Sequence, residues 1–316
     1  MNLQTFLTRF FEHLFYRPRW YHWAVAALLL PLSLLYASAM FLRRRLARSE
    51  DMGIPVVSIG NLVVGGSGKT PMAVALAGHF RKPAIVLRGY GRKSRGLRVV
   101  SRFGDVVCGV EEAGDEATLL ARALPEASVI VSEDRKEGIE KAKAMGAEVV
   151  FLDDGFSKVV IEKFDILLFP KRLPNPLPLP SGPFREFPFE KRVADLVLKE
   201  GEDFTREVTC DGCDAPMLLV TAIANPERLE PYLPRELVKD RLILPDHAWF
   251  DKEQIIEAME RAGAKKILTT EKDWVKLESF GLDAALLRLR LVVSERVVDR
   301  IVQYRYNFPN KKGKRQ

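Results

Sequence analysis

Short apolar runs alternate with helix-spaced segments along most of this chain, and that alternation predicts an α/β fold built on a mostly parallel sheet. A glycine-rich turn ending in Lys69-Thr70, placed after the first such run, marks the larger unit as a P-loop NTPase-type domain. A second series of strand-like runs from Pro216 onward predicts a second, smaller α/β domain, and a long uncharged stretch near the amino end predicts a hydrophobic membrane helix. The 316 residues suffice for two cores. We expect residues 1–50 to form a membrane-associated helical segment, 51–200 the nucleotide-binding domain with a proline-rich loop, and 201–316 the second domain with a basic tail.

Composition narrows the function less than the motifs do. With 47% hydrophobic and 29% charged residues the chain is ordinary for a globular protein. A net charge of +7 favours an anionic partner: nucleic acid, an acidic membrane surface or a phosphorylated substrate. Basic and aromatic residues are not interleaved as single-stranded nucleic acid requires, so no nucleic-acid partner is expected. Three cysteines fit a reducing compartment, and Cys210-Asp211-Gly212-Cys213, a lone C-x-x-C, reads as a turn flanked by thiols rather than a zinc site.

The amino-terminal element comes first. Residues 21–42 carry no acidic or basic side chain except His22, with Pro31 in the middle. Trp20, Tyr21 and Trp23 stand at one end like interfacial anchors, and Arg43, Arg44, Arg45 and Arg48 follow the other. A spanning helix, a helix lying in the membrane surface, and a hydrophobic helix packed on the soluble body all fit this pattern. A cleaved export signal fits poorly, because export would separate a nucleotide site from cytosolic ATP. The arginines favour membrane attachment on the cytoplasmic side.

The first strand covers residues 55–59, and Val63-Val64-Gly65-Gly66-Ser67-Gly68-Lys69-Thr70 follows, then a helix-spaced run over 72–80. Glycines let successive backbone N–H groups curl around an anion at the positive end of a helix. Gly65, Gly66, Ser67, Gly68, Lys69 and Thr70 are therefore the expected ATP contacts, Lys69 on the β/γ-phosphates and Thr70 on Mg²⁺. Val63 stands where the strict pattern has glycine, and Val64 where partitioning ATPases carry a signature lysine.

The strand at 84–87 runs into a basic, glycine-rich loop containing Arg88 and Arg92, a candidate phosphate clamp at a strand's carboxyl end. Val99-Val100 and Val106-Val107 read as a hairpin. Glu111-Glu112-Ala113-Gly114-Asp115-Glu116 opens a helix over 117–124; it serves as a cap or, at Asp115, as the carboxylate that accepts a proton from an attacking hydroxyl. After a strand at 128–131 and a helix opening at Ser132-Glu133-Asp134-Arg135, the strand at 148–152 ends in Asp153-Asp154. Hard oxygen ligands at such a strand tip suit Mg²⁺ beside a phosphate loop.

One more strand, 164–169, precedes a loop with seven prolines between Pro170 and Pro188, stiff enough to be a shaped surface. Strand character resumes at 194–198. In the second half we expect strands at 217–223, 242–244 and 266–269, helices opening at Asn225 and spanning 251–262, and a short helix starting at Thr270-Glu271-Lys272-Asp273. His247, in Pro245-Asp246-His247, is the one histidine of four on a loop after a strand beside a carboxylate.

Nine of these stretches, in order, resemble the tetraacyldisaccharide 4′-kinase family, the membrane-associated lipid A kinases of Gram-negative bacteria. They are Ser58-Ile59-Gly60-Asn61-Leu62 with Gly65 through Pro71; Arg88-Gly89-Tyr90-Gly91-Arg92; Glu112-Ala113-Gly114-Asp115-Glu116; Ser132-Glu133-Asp134-Arg135; Leu152-Asp153-Asp154-Gly155-Phe156; Gly182-Pro183-Phe184-Arg185-Glu186; Ile223-Ala224-Asn225-Pro226-Glu227-Arg228; Pro245-Asp246-His247; and Thr269-Thr270-Glu271-Lys272-Asp273. The resemblance implies Mg²⁺-dependent transfer of the ATP γ-phosphate to the 4′-hydroxyl of a tetraacylated glucosamine disaccharide 1-phosphate, at the cytoplasmic face of the inner membrane and with no obligate protein partner. It implies Asp115 as base with His247 paired to it, Lys69 and Thr70 on ATP and Mg²⁺, Asp153 and Asp154 on the metal, and Arg88, Arg92, Arg135, Arg185 and Glu186 toward the lipid. The family's Gln-His-Arg after Asp-Asp-Gly-Phe is replaced here by Ser157-Lys158-Val159. The alternative from another class is a membrane-associated P-loop ATPase switch acting on a protein partner.

Overall fold

The computed structural model describes residues 3–65, 68–170 and 173–312. In chain order the elements are α1 (Leu3–Tyr16), α2 (Trp20–Leu46), β1 (Val56–Gly60), α3 (Lys69–Ala77), β2 (Pro83–Leu87), β3 (Arg98–Arg102), β4 (Asp105–Val106), α4 (Val110–Ala113), α5 (Asp115–Ala123), β5 (Ser128–Val131), α6 (Arg135–Ala144), β6 (Val149–Asp153), β7 (Phe164–Phe169) and β8 (Leu196–Lys199). The second half holds β9 (Phe204–Asp211), β10 (Met217–Thr221), β11 (Val238–Ile243), α7 (Lys252–Ala262), β12 (Lys266–Thr270), α8 (Glu271–Leu277), β13 (Ala284–Val293) and α9 (Glu295–Lys312).

Two sheets result, as the alternation of apolar runs predicts. The first has eight strands in the order β4-β3-β5-β2-β6-β1-β7-β8, all parallel except the β3–β4 hairpin edge. Strands β1, β2, β5 and β6 are buried along their whole length, which is why they read as continuous apolar runs instead of alternating ones. The second sheet runs β11-β10-β12-β13-β9, parallel except for the β13–β9 pair.

Strand β9 escaped the sequence reading. Its residues alternate buried or half-buried with exposed, the pattern of a sheet edge, and its polar side chains dilute the apolar signal. The run opening at Asn225 forms only a 3-10 turn, Pro226–Tyr232, with Pro231 inside it. At the carboxyl end, α9 packs back on the first sheet: Val297 and Ile301 are fully buried in the same cluster as Val57 and Phe151, and Tyr304 lies against Phe164. Gly313 to Gln316, most of the expected basic tail, lie outside the described residues. Cys210 and Cys213 are joined as a disulfide across a turn in which Gly212 has φ 77°.

Helix α2 is 27 residues long and contains an 18-residue window with a mean hydropathy of 2.1, long and apolar enough to cross a membrane. Pro31 sits inside it. One face is nevertheless docked on the soluble body. Ala26, Ser33 and Ala37 are buried, and the Ser33 hydroxyl donates to Ser181 Oγ at 2.7 Å. Arg44 donates twice to Glu186, at 2.8 and 2.9 Å. Leu28, Leu32, Leu35, Leu42 and Leu46 stay exposed.

Candidate functional site

Register places the phosphate loop. Strand β1 lies between β6 and β7, and Ile59 stands opposite Asp153, so the loop after β1 and the tip of β6 emerge side by side. Gly68, with φ 85°, turns the chain into α3, and Lys69 and Thr70 form its first residues. A left-handed turn of this kind is open to glycine and strained for other residues. Gly66 and Ser67 lie outside the described residues. Val63, the departure from the strict loop pattern, is buried beside Leu62, Phe156 and Phe184, where glycine would leave a void.

The structure brings Thr70 to Asp153, with Asp154 beside Lys69 and Arg185. The Thr70 hydroxyl donates to Asp153 Oδ2 at 2.8 Å. Burial, with Glu116 nearby, pushes the Asp153 carboxyl up to about 7. Its Oδ1 is buried without a hydrogen-bond partner. Asp154 at φ 55° faces Lys69, whose Nζ is 3.7 Å from Oδ1, and Arg185, 3.3 Å from Oδ2. Burial raises the Asp154 carboxyl, but Lys69 and Arg185 outweigh it and hold it below the usual carboxylate range. Lys69 Nζ also donates to Asn61 Oδ1 at 3.5 Å. Among the described residues, no group of three or more His, Cys, Asp or Glu is arranged to hold a metal. A hydroxyl against a buried carboxylate with one unpartnered oxygen fits a divalent cation that takes its remaining ligands from phosphates and water.

The second half of the site is assembled across the two sheets. Gly114, at φ 86°, starts α5, and a side chain there would meet the Tyr90 carbonyl at 2.9 Å. Asp115 is thereby presented at the helix's positive end, where its Oδ1 also accepts from the Glu116 N–H. His247 reaches it from the loop after β11, with Nδ1 2.9 Å from Asp115 Oδ2. The His247 backbone is left-handed, φ 61°, and its N–H donates to the Ala222 carbonyl at 3.0 Å. The Tyr90 ring packs 4.9 Å from the imidazole.

Two lysines that sequence reading did not place in the site face this pair. Lys276 Nζ lies 3.1 Å from Asp115 Oδ2, and Lys272 Nζ lies 3.4 Å from His247 Nε2. Their i, i+4 spacing on α8 sets both on one helix face, and Lys272 lies in the Thr269-Thr270-Glu271-Lys272-Asp273 stretch. Burial alone would raise the Asp115 carboxyl. The His247 hydrogen bond, with Lys272 and Lys276, overrides burial and holds it at about 2.

The expected lipid-side residues divide into two groups. Arg88 is exposed beside the buried Arg135, whose guanidinium donates to the Ser132 carbonyl at 2.5 Å and whose Nε has no partner. Arg185 is half-buried on Asp154. Arg92 instead turns inward, with a side chain 2% exposed, and ties its own loop to Glu133 and the Gly96 carbonyl. Glu186 is likewise buried and committed to Arg44 of α2.

Comparison with known proteins agrees with this architecture. The family model described as tetraacyldisaccharide-1-P 4′-kinase matches residues 25–217 and 205–305. The tetraacyldisaccharide 4′-kinase of Aliarcobacter butzleri is 44% identical over 90% of this chain and 93% of its own. That of Helicobacter pylori is 43% identical over 95% and 96%, and that of Campylobacter jejuni 38% over 98% and 99%. Among solved structures, the "apo" form of LpxK from Aquifex aeolicus in complex with ATP superposes with a TM-score of 0.74 at 28% identity, covering 89% of this chain and 99% of that one. The chain belongs to the tetraacyldisaccharide-1-P 4′-kinase family.

Proposed function

We propose that this chain transfers the γ-phosphate of ATP, with Mg²⁺, to the 4′-hydroxyl of a tetraacyldisaccharide 1-phosphate at the cytoplasmic face of the inner membrane. The observation that carries the reading is the Asp115–His247 pair, buried at the junction of the two sheets beside a phosphate loop whose Thr70 is bonded to a strand-tip aspartate.

In this reading Lys69 and the amide-lined loop hold the β/γ-phosphates, and Thr70 and Asp153, with Asp154 alongside, hold Mg²⁺. Bound there, Mg²⁺ neutralises charge that develops on the phosphates. Asp115 orients the acceptor hydroxyl and takes its proton. A carboxylate held at about 2 is ionised at any physiological pH but weakly basic, so it accepts the proton as the bond to phosphorus forms. His247, fixed by its Nδ1 contact with that carboxylate, keeps Asp115 aimed. Arg88, Arg135 and Arg185 supply positive charge for the substrate's 1-phosphate or for ATP. Residues 1–50 form the membrane segment, with the exposed leucines of α2 facing lipid, and residues 51–200 and 201–316 are the two units that enclose the reacting groups.

The test is direct. Purified protein, Mg-ATP and the tetraacyldisaccharide 1-phosphate in mixed micelles should yield a 4′-phosphate monoester detectable by phosphorus NMR. Hydrolysis of ATP to free phosphate with no lipid product would refute the kinase reading.

A further inference from the structure

Helix α8, opened by Thr270-Glu271-Lys272-Asp273, packs against α5 and sets two lysines, Lys272 and Lys276, against the Asp115–His247 pair. We propose that Lys276, one turn further along α8, is a positioning residue that locks Asp115 and His247 together across the two sheets. This inference rests on the kinase reading for its consequence in turnover, and on geometry alone for the lock.

An ammonium has three N–H donors and no acceptor. Lys276 directs them at three oxygens from both sides of the junction: Asp115 Oδ2 at 3.1 Å, the His247 carbonyl at 3.3 Å and the Ala248 carbonyl at 3.3 Å. Its side chain is 4% exposed, so these bonds replace water and are not shared with it. His247 sits in a left-handed conformation that a non-glycine residue keeps only when its surroundings over-determine it. Lys276 supplies part of that constraint by binding the carbonyls of two successive peptides, those of His247 and Ala248. The Trp249 ring, 5.6 Å away, closes the remaining side.

Lys272 differs in kind. It is more exposed and spreads its charge over Glu116, Asp246 and Asp115 at 3.5 to 3.9 Å, so it adds field more than geometry. The charged and titratable groups facing the pair are thus Lys272, Lys276, Glu116, Asp246 and Tyr90.

The experiment compares the full-length protein with Lys276→Met, which keeps the length and apolar stem. Expected are a fall in kcat of roughly 100-fold with the KM for ATP within about twofold. The acid limb of the kcat profile should move to higher pH, because Asp115 loses a cation. Amides of His247 and Ala248 should exchange with deuterium at least about tenfold faster, while β1 and β6 are unchanged. Lys276→Gln, with a polar head and no charge, is the second variant should Lys276→Met fail to fold, and the same outcomes apply. A folded variant with wild-type kcat, acid limb and exchange overturns the proposal. If the unmodified protein phosphorylates no lipid, the kinase reading fails and exchange alone decides: faster opening at His247 and Ala248 supports the lock, and unchanged exchange refutes it.

Discussion

Asp115 and His247 stand 132 positions apart in the chain and 2.9 Å apart in space, one at the start of a helix on the first sheet and one on a loop of the second. A carboxylate held between an imidazole and two ammonium groups is oriented before any substrate arrives. Replacing Asp115 by alanine should therefore lower kcat by about 10²- to 10⁴-fold while leaving the KM for ATP nearly unchanged. Steady-state kinetics separate the two parameters.

The same carboxylate makes stability depend on pH in a defined window. Its folded value, about 2, lies below the unfolded value of about 3.9. Its contribution is then fully present above about pH 4 and is lost as pH falls through 2, and it amounts to something on the order of 2 kcal/mol. Asp115→Asn should be destabilised equally at pH 7 and pH 5, with the gap to the unmodified protein closing below pH 4. Chemical denaturation at each pH checks this.

Thr70 and Asp153 are joined by a 2.8 Å hydrogen bond in a buried setting. Thr70→Val keeps the shape and removes the oxygen. It should reduce turnover by about 100-fold and raise the Mg²⁺ concentration needed for half-maximal rate. Titration of activity with Mg²⁺ at saturating ATP reads both.

Among the described residues, Arg44 alone donates to both oxygens of buried Glu186, and its Nε is also 3.5 Å from buried Glu190. Arg44→Met leaves those carboxylates short of a cation in a site closed to water, which costs about 3–5 kcal/mol. The measured consequence should be a lower thermal midpoint and faster proteolysis within α2.

The exposed leucines of α2 predict a lipid-facing stripe. Leu28 and Leu35 are 80% and 69% exposed and lie seven positions apart on one helix face. Burial of one leucine is worth about 1.5–3 kcal/mol. Leu28→Glu with Leu35→Glu should therefore cut binding to anionic vesicles by well over tenfold while the soluble body keeps its fold. Vesicle co-sedimentation and circular dichroism report the two separately.

Most of the strands, and the phosphate side of the site, are legible in the sequence. Runs such as Val149–Asp153 are buried end to end and so announce themselves as strands, and Gly68-Lys69-Thr70 is local turn chemistry followed by a helix start. Information of that kind spans a few residues. Tertiary contacts are needed to see that Arg92 and Glu186 hold internal partners, that the alternating β9 pairs with β13, that α9 returns to the first sheet, and that Lys276 reaches Asp115. Those outcomes depend on strand register and on which faces are left to bury once both sheets have formed. A charge has no periodicity that reveals its partner, so Asp115 became part of a pair, and the pair part of a locked cluster, only where the two sheets meet.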